Sequence, residues 1–242
     1  GSRAGLVQVF SGELDPFRIR PVLERLSAAL PRFSIIGTST AGEIAGAGIL
    51  DRSVLLSFLV PSSPETETQT FFFPHADRAA GRMAGEDLAR SGTKFVIAFG
   101  NALNESPEGF ISGIAEGAPE IIVSGGVAGD NVLFRGTFVI HGTDILRHGL
   151  VLAAFRGESL RVHVESLFNW TPVGRPMKIT RGRGNTVYEL DGQPPLEIYR
   201  HYLGEDVLRN IPESMIGFPL VARQQGVDIA RVPVALTGDG GL

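Results

Sequence analysis

One succession of elements occurs twice along this chain: strand, helix, strand, glycine-rich turn, then a closing pair of strands. Val7–Phe10 corresponds to Val96–Phe99 at an offset of 89, and the helix openers Pro16 and Pro107 correspond at 91. The turns correspond at 87, where Ala41-Gly42-Glu43 falls on Ala128-Gly129-Asp130 within the longer match of residues 35–43 to residues 121–130. The stretch from Ile49 to Phe58 then parallels Ile145 to Phe155. Offsets near 90 with small insertions are what an old internal duplication leaves. Two related halves tend to pack about a pseudo-twofold axis, which lets their equivalent turns face one another.

The elements themselves follow from periodicity. Leu6–Phe10, Ser34–Gly37, Val54–Val60, Thr66–Phe73 and Phe95–Phe99 read as strands. Asp15-Pro16 supplies an N-cap and a first-turn proline, and Ile19, Val22, Leu23, Leu26 and Leu30 recur at helical spacing. Pro21 falls inside that run and predicts a later start for the helix. Asp77 caps a second helix whose buried face reads as Ala79, Ala80, Met83, Ala84 and Leu88; Ser106-Pro107 opens a third, carrying Phe110, Ile111, Ile114 and Ala115. Beyond Phe168-Asn169-Trp170-Thr171-Pro172 the texture changes, with a hairpin expected over residues 177–190, a turn at Asp191-Gly192, and a helix opened by Pro194-Pro195 and running through Tyr202.

Composition removes several function classes. Among 242 residues there are no cysteines, so disulfides, thiolate catalysis and cysteine-ligated metals are excluded, in keeping with a cytoplasmic setting. A net charge of −4 without a basic cluster gives no footprint for nucleic acid. Apolar runs such as Val54–Val60 are far short of the roughly 18 residues a membrane span needs, and no secretory signal opens the chain. Asn104-Glu105-Ser106 fits a glycosylation acceptor but is disregarded without such a signal. The five histidines (His75, His141, His148, His163 and His201) show no metal-ligand spacing, and Gly182-Arg183-Gly184 lacks the third glycine of a dinucleotide fingerprint because Val187 stands there. No cofactor is called for.

The paired turns are the candidate site. Gly42, Gly126 and Gly129 allow close backbone approach, Ser39, Thr40 and Ser124 offer hydroxyls, and each turn ends in an acid, Glu43 or Asp130, the latter followed by Asn131. Such a pocket suits a small zwitterion, with amides and hydroxyls for its carboxylate and acids for its ammonium. The alternative for both acids is structural, since an acid after glycine often accepts backbone hydrogen bonds in a turn. Arg181 and Arg183 can hold a carboxylate in bidentate fashion, or stand solvated on a hairpin. Trp170 reads first as a packing residue at a boundary. A hydrolase is the chemical rival: Gly37-Thr38-Ser39-Thr40-Ala41 approaches the G-x-S-x-G elbow but ends in alanine, and the glycines after it oppose the long helix an elbow needs. That reading requires a histidine within hydrogen-bond reach of Ser39 or Thr40. A protein-interaction module without a small ligand is the third reading, and it predicts an exposed apolar patch.

The motif Ile36-Gly37-Thr38-Ser39-Thr40-Ala41-Gly42-Glu43-Ile44 resembles the signature of the FIST N-terminal domain, and Gly125-Gly126-Val127-Ala128-Gly129-Asp130-Asn131 resembles its second signature. Lys178–Arg181, Tyr188–Pro194 and Tyr199-Arg200 are similar to the opening of the companion FIST C-terminal domain. The resemblance implies a bacterial sensory domain for small ligands such as amino acids, coupled to a signalling output domain or protein. It also implies a C-terminal domain that normally runs past residue 242, of which this chain holds the beginning. Gly1-Ser2 reads as a cloning remnant, and the closing turn before Leu242 as the start of a further strand. The expectation is an α/β protein with mixed central sheets flanked by helices. Its duplicated first domain spans residues 1–168, with halves at about 5–75 and 94–168, and residues 169–242 begin a second, α+β domain.

Overall fold

The computed structural model describes residues 4–101, 107–131, 133, 136–165, 168, 170–209, 211, 213–224, 226–233 and 235–242. It divides into two compact units between Val164 and Glu165. The fold is mixed α/β.

The first unit opens with strand β1 (Gly5–Ser11), helix α1 (Pro16–Ala29) and strand β2 (Phe33–Ser39). A short hairpin follows, β3 (Glu43–Ala45) and β4 (Gly48–Leu50), then β5 (Val54–Leu59) and β6 (Glu67–Phe73). The second pass runs α2 (Arg78–Arg90), β7 (Thr93–Gly100), α3 (Pro107–Gly117), β8 (Ile122–Val127), the hairpin β9 (Val139–His141) and β10 (Asp144–Leu146), and β11 (Leu150–Arg156). Two sheets result, ordered β10-β9-β2-β1-β5 and β6-β11-β7-β8. Helix α1 covers the outer face of the first sheet through Ile19 and Leu23, which pack with Val7, Val9 and Ile140. The pair α2 and α3 covers the outer face of the second through Leu88, Phe110 and Ile114 on Val96 and Leu152. Between the sheets lie Leu6, Ile36 and Val139 from one and Phe99, Val151 and Phe155 from the other. The unit is thus a four-layer stack, and β1, β2, β7 and β11 read as apolar runs because both their faces are covered.

The two halves repeat one pattern of strand pairing. β1 runs parallel to β2 and antiparallel to β5, as β7 does to β8 and β11. Leu6 faces Leu59 while Phe95 faces Phe155, so the offset is 89 on one strand and 96 on the other. The halves nevertheless exchange strands: β9–β10 pairs with β2 of the first half, and β6 pairs with β11 of the second. The turn offset differs from that read in the sequence. Thr40 N–H donates to Ser11 O at 2.9 Å and Ala128 N–H to Gly100 O at 2.8 Å, so Thr40 corresponds to Ala128 at 88. Glu43, which opens β3, then matches Val139 at the head of β9, and Asp130 falls in a longer segment before β9 without a counterpart.

Three helix expectations are corrected. α1 begins at Pro16 and runs through Pro21, with Asp15 capping Phe17 N–H. Pro21 is exposed, as is Phe17 one turn before it, so the carbonyl freed by the missing N–H faces water. The buried face of α2 is Gly81, Ala84, Gly85 and Leu88, while Ala79 and Met83 point outward. On α3 the buried set is Phe110, Gly113 and Ile114, and Ala115 is exposed. Ser106, the expected opener of α3, Asn104–Ser106 and Asn169 lie outside the described residues.

The second unit begins with the hairpin β12 (Ile179–Arg183) and β13 (Thr186–Leu190), turned at Gly184 with φ +60°. Asp191 and Gly192 make the next turn, both at positive φ, with Arg175 and the Lys178 N–H donating to the Asp191 carboxylate. These two donors hold that carboxyl below the usual aspartate range, the Lys178 backbone bond being the larger cause. Helices α4 (Pro195–Leu203), α5 (Glu205–Leu208) and α6 (Glu213–Ile216) precede a last hairpin, β14 (Leu220–Gln224) and β15 (Val227–Arg231). Tyr199, Met215 and Leu242 form its small core, and Leu242 exchanges both backbone hydrogen bonds with Val187.

Candidate functional site

The two turns meet. Gly129 N–H donates to Ser39 O at 2.9 Å, and a Cβ at Gly129 would stand 3.1 Å from Ala41 N. Beside this crossing, between the inner faces of the two sheets, is a cleft of about 410 Å³ lined from both halves. Gln8, Phe10, Thr38 and Thr40 come from β1, β2 and the first turn; Phe95, Ile97, Phe99 and Ser124–Val127 come from β7 and β8. The apolar wall is aromatic, with Phe10 and Phe99 packed edge to face at 5.5 Å. Its polar groups are the side chains of Gln8, Thr38, Thr40 and Ser124 and the backbone of Gly125 and Gly126. Gly125 is required there. Its φ is +146°, and a Cβ would lie 1.8 Å from Ala98 O. Gly126 is different, since a Cβ there meets nothing within 4 Å.

Of the residues singled out by sequence, Thr40, Ser124 and Gly126 line the cleft. The two acids do not line it. Glu43 is 2% exposed and its carboxylate accepts from the hydroxyls of Thr40 and Ser53. Asp130 is buried as well and accepts from Gly136 N–H at 3.0 Å. Ser39 is fully buried and its hydroxyl accepts from Phe138 N–H at 3.1 Å, pinning the head of β9 to the end of β2. Gly42 has φ +146° and Asn131 φ +56°, so both shape turns. Arg181 stands on β12 of the second unit, paired with Glu189 at 2.9 Å and lying over the Tyr188 ring, and Arg183 is exposed at the end of that strand.

Asn101 is the residue that sequence reasoning missed. Its buried amide donates to Thr137 O at 3.1 Å and Arg147 O at 2.8 Å, and its carbonyl accepts from the Thr137 hydroxyl at 2.7 Å. One side chain thereby brackets both ends of the β9–β10 hairpin. Its counterpart in the first half is Gly12, since Gly12 N–H donates to Ser53 O as Asn101 N–H does to Gly149 O. A Cβ at Gly12 would stand 2.9 Å from a Glu43 oxygen, so Glu43 occupies the space an asparagine side chain would need. The signal was present as Gly100-Asn101 against Ser11-Gly12 in the aligned halves.

No histidine is a hydrogen-bond partner of Ser39 or Thr40 among the described residues; His141 meets Thr70 and His148 packs on Phe72. No group of acids and histidines suited to a metal ion occurs among those residues. Nor is any of their helices long and apolar enough to cross a membrane.

The model of the FIST N domain matches residues 5–193, well over half of the chain. The chain belongs to the FIST family. FIST domains are sensory domains of signal-transduction proteins. Both turns fall within the match, which also runs past Val164 into the second unit as far as Gln193. No curated protein matched the chain.

Proposed function

We propose that the first FIST unit is a non-catalytic receptor for a small polar ligand, foremost an amino acid, whose occupancy is passed to a signalling output domain or protein. The observation that carries the reading is the inter-sheet cleft, which both halves line with polar groups beside an aromatic wall. That pairing suits a ligand with a polar head and an apolar body. The Ser124 hydroxyl and the Gly125 amide would take its carboxylate, while the Thr40 hydroxyl, whose proton goes to Glu43, can only accept. Because Glu43 and Asp130 are engaged elsewhere, an ammonium would be met by Gln8, Thr38 and the aromatic faces. Ser39, Gly42, Glu43, Gly129, Asp130 and Asn131 serve by holding the turns, which is a positioning role. Setting the protein in the cytoplasm is part of the same reading.

The test is a thermal-shift screen of amino acids and small metabolites on the whole chain and on Gly126→Leu, a side chain that fills the cleft. Ligand at 100 times its Kd adds about 2.7 kcal/mol, a rise of about 5–10 °C for a protein of this size. The expected result is a stereoselective rise that Gly126→Leu abolishes while its own ligand-free Tm stays near the parent's. Retention of the rise in Gly126→Leu, or no rise with any compound, refutes the assignment.

A further inference from the structure

The hairpins β3–β4 and β9–β10 are the same object. Ile44 pairs with Ile49 as Ile140 pairs with Ile145, and Gly46 and Gly142 turn them with φ +60° and +62°. Their settings are opposite. β9–β10 crosses to the other half, adds to the edge of β2, and buries Ile140 completely. β3–β4 forms a sheet of its own, leaving Ile44 75% and Ile49 78% exposed. The edge it would reach by the same crossing is the outer edge of β8, which no strand pairs with among the described residues. Val127 on that edge is also exposed.

We infer that the β3–β4 hairpin is a mobile arm that closes onto β8, extending the second sheet and covering the mouth of the cleft. Three observations support this beyond the symmetry. The base of the arm is already at the edge, because Gly129, just past β8, bonds to Ser39, just before the arm. Exposed isoleucines on the arm and an open strand edge beside it are complementary liabilities that natural sheets ordinarily cover. Finally, the bracket that locks both ends of the docked hairpin, Asn101, is replaced by Gly12 on this side, and among the described residues the arm is held by a side chain only at its base, through Glu43. Glu43, held by Thr40 and Ser53, is the pivot.

The docked register transfers directly. β2 and β9 pair Ile36 with His141 and Gly37 with Ile140. Gly37 and Gly125 are counterparts, each facing a matched residue, Val9 or Ala98, of the neighbouring strand. The closed arm therefore sets Ala45 opposite Ser124 and Ile44 opposite Gly125. Ile44 and Ile49 turn to the helix side, where Ile140 and Ile145 pack in the other copy, and Ala45 and Leu50 face the cleft. Ala45 and Ser124 form a pair without mutual backbone bonds, the closely spaced kind.

The chain has no cysteine, so the pairing can be read by cross-linking. Ala45→Cys with Ser124→Cys in the whole chain should form an intramolecular disulfide under mild oxidation. Ala45→Cys with Val123→Cys, whose side chain lies on the helix face, should not. In the parent, amide exchange at Val123 and Gly125 should be at least tenfold slower than in Ile44→Asp/Ile49→Asp, which cannot close. A disulfide only between two copies, equal cross-linking in the control, or no disulfide in the folded pair overturns the inference. Equal exchange in parent and Asp variant overturns it too, and decides alone if the cysteine pair does not fold. Neither arm of the test involves a ligand, so its failure is separate from failure of the proposed receptor role.

Discussion

Helices α2 and α3 touch backbone to backbone, and one substitution measures how much the fold depends on it. Gly81 and Gly85 of α2 face Gly113 and Gly117 of α3; a Cβ at Gly113 would lie 2.2 Å from Arg78 O and 2.7 Å from Arg82 N. Both obstacles are main-chain atoms, which cannot rotate aside. Alanine at 113 must therefore push the helices apart by about 1 Å, which forfeits a quarter to half of the dispersion energy along the contact. Overpacking of this kind costs about 3 kcal/mol at its upper end, and alanine returns about 1 kcal/mol of helix propensity. The expected net loss for Gly113→Ala is about 2 kcal/mol, a fall in Tm of about 4–8 °C. Gly109 supplies the control on the same helix. A Cβ there meets nothing closer than 3.7 Å, so Gly109→Ala keeps only the propensity gain and should raise Tm. Thermal melts of the two variants beside the parent settle the matter by sign. If Gly113→Ala is neutral or stabilising, the glycine-mediated contact does not govern the packing of this layer.

Asn101→Asp replaces a donor by a carboxylate facing the carbonyls of Thr137 and Arg147, and should cost about 3 kcal/mol or more in denaturant melts. A loss below about 1 kcal/mol would mean the bracket on β9–β10 is not needed. Tyr199 in the second unit donates to Phe218 O at 2.8 Å, and burial pushes its hydroxyl up to about 12. The unfolded chain ionises this group at its ordinary value of 10.0, so its contribution to stability is intact below that pH and lost between there and about 12. Phenolate absorbance should show one late component that Tyr199→Phe removes; if the late component survives, the assignment is wrong.

The strands and capped helices were legible because their signals are local: alternating or continuous apolar runs, Asp15 and Asp77 before helices, and glycine at the turns. The repeated order of elements was legible for the same reason, as paired strings. Which strand pairs with which was not. The exchange of β9–β10 and β6 between halves is set by contacts far apart in the chain, and nothing in a strand's own residues names its partner. Reading helix faces by apolarity misplaced Met83, because the face that packs on α3 is chosen by glycines that admit a backbone. The acids misled differently. Ala41-Gly42-Glu43 and Ala128-Gly129-Asp130 are similar as strings, yet the backbone sets Thr40 against Ala128 and Glu43 against Val139, and each acid has its own hydrogen-bond partners.

That mismatch bears on how the two halves differ. Each half carries an equivalent arm, and the arm docked on the other half buries one fully enclosed isoleucine, Ile140. Burying a side chain of that size is worth about 1.5–3 kcal/mol, so an arm left free forgoes stability on a scale that a marginally stable fold notices. The first half retains the isoleucines but carries glycine in place of Asn101, with Glu43 filling the gap at the base of the arm. A mere loss of the docked state would leave no reason to keep Ile44 and Ile49 apolar at the surface. Retained apolar residues together with a missing lock are what a reversible arm needs: enough driving force to close, and no fixed bracket to prevent opening. Its place beside Gly125, Gly126 and Val127, which line the cleft, puts that motion where a bound ligand would bias it.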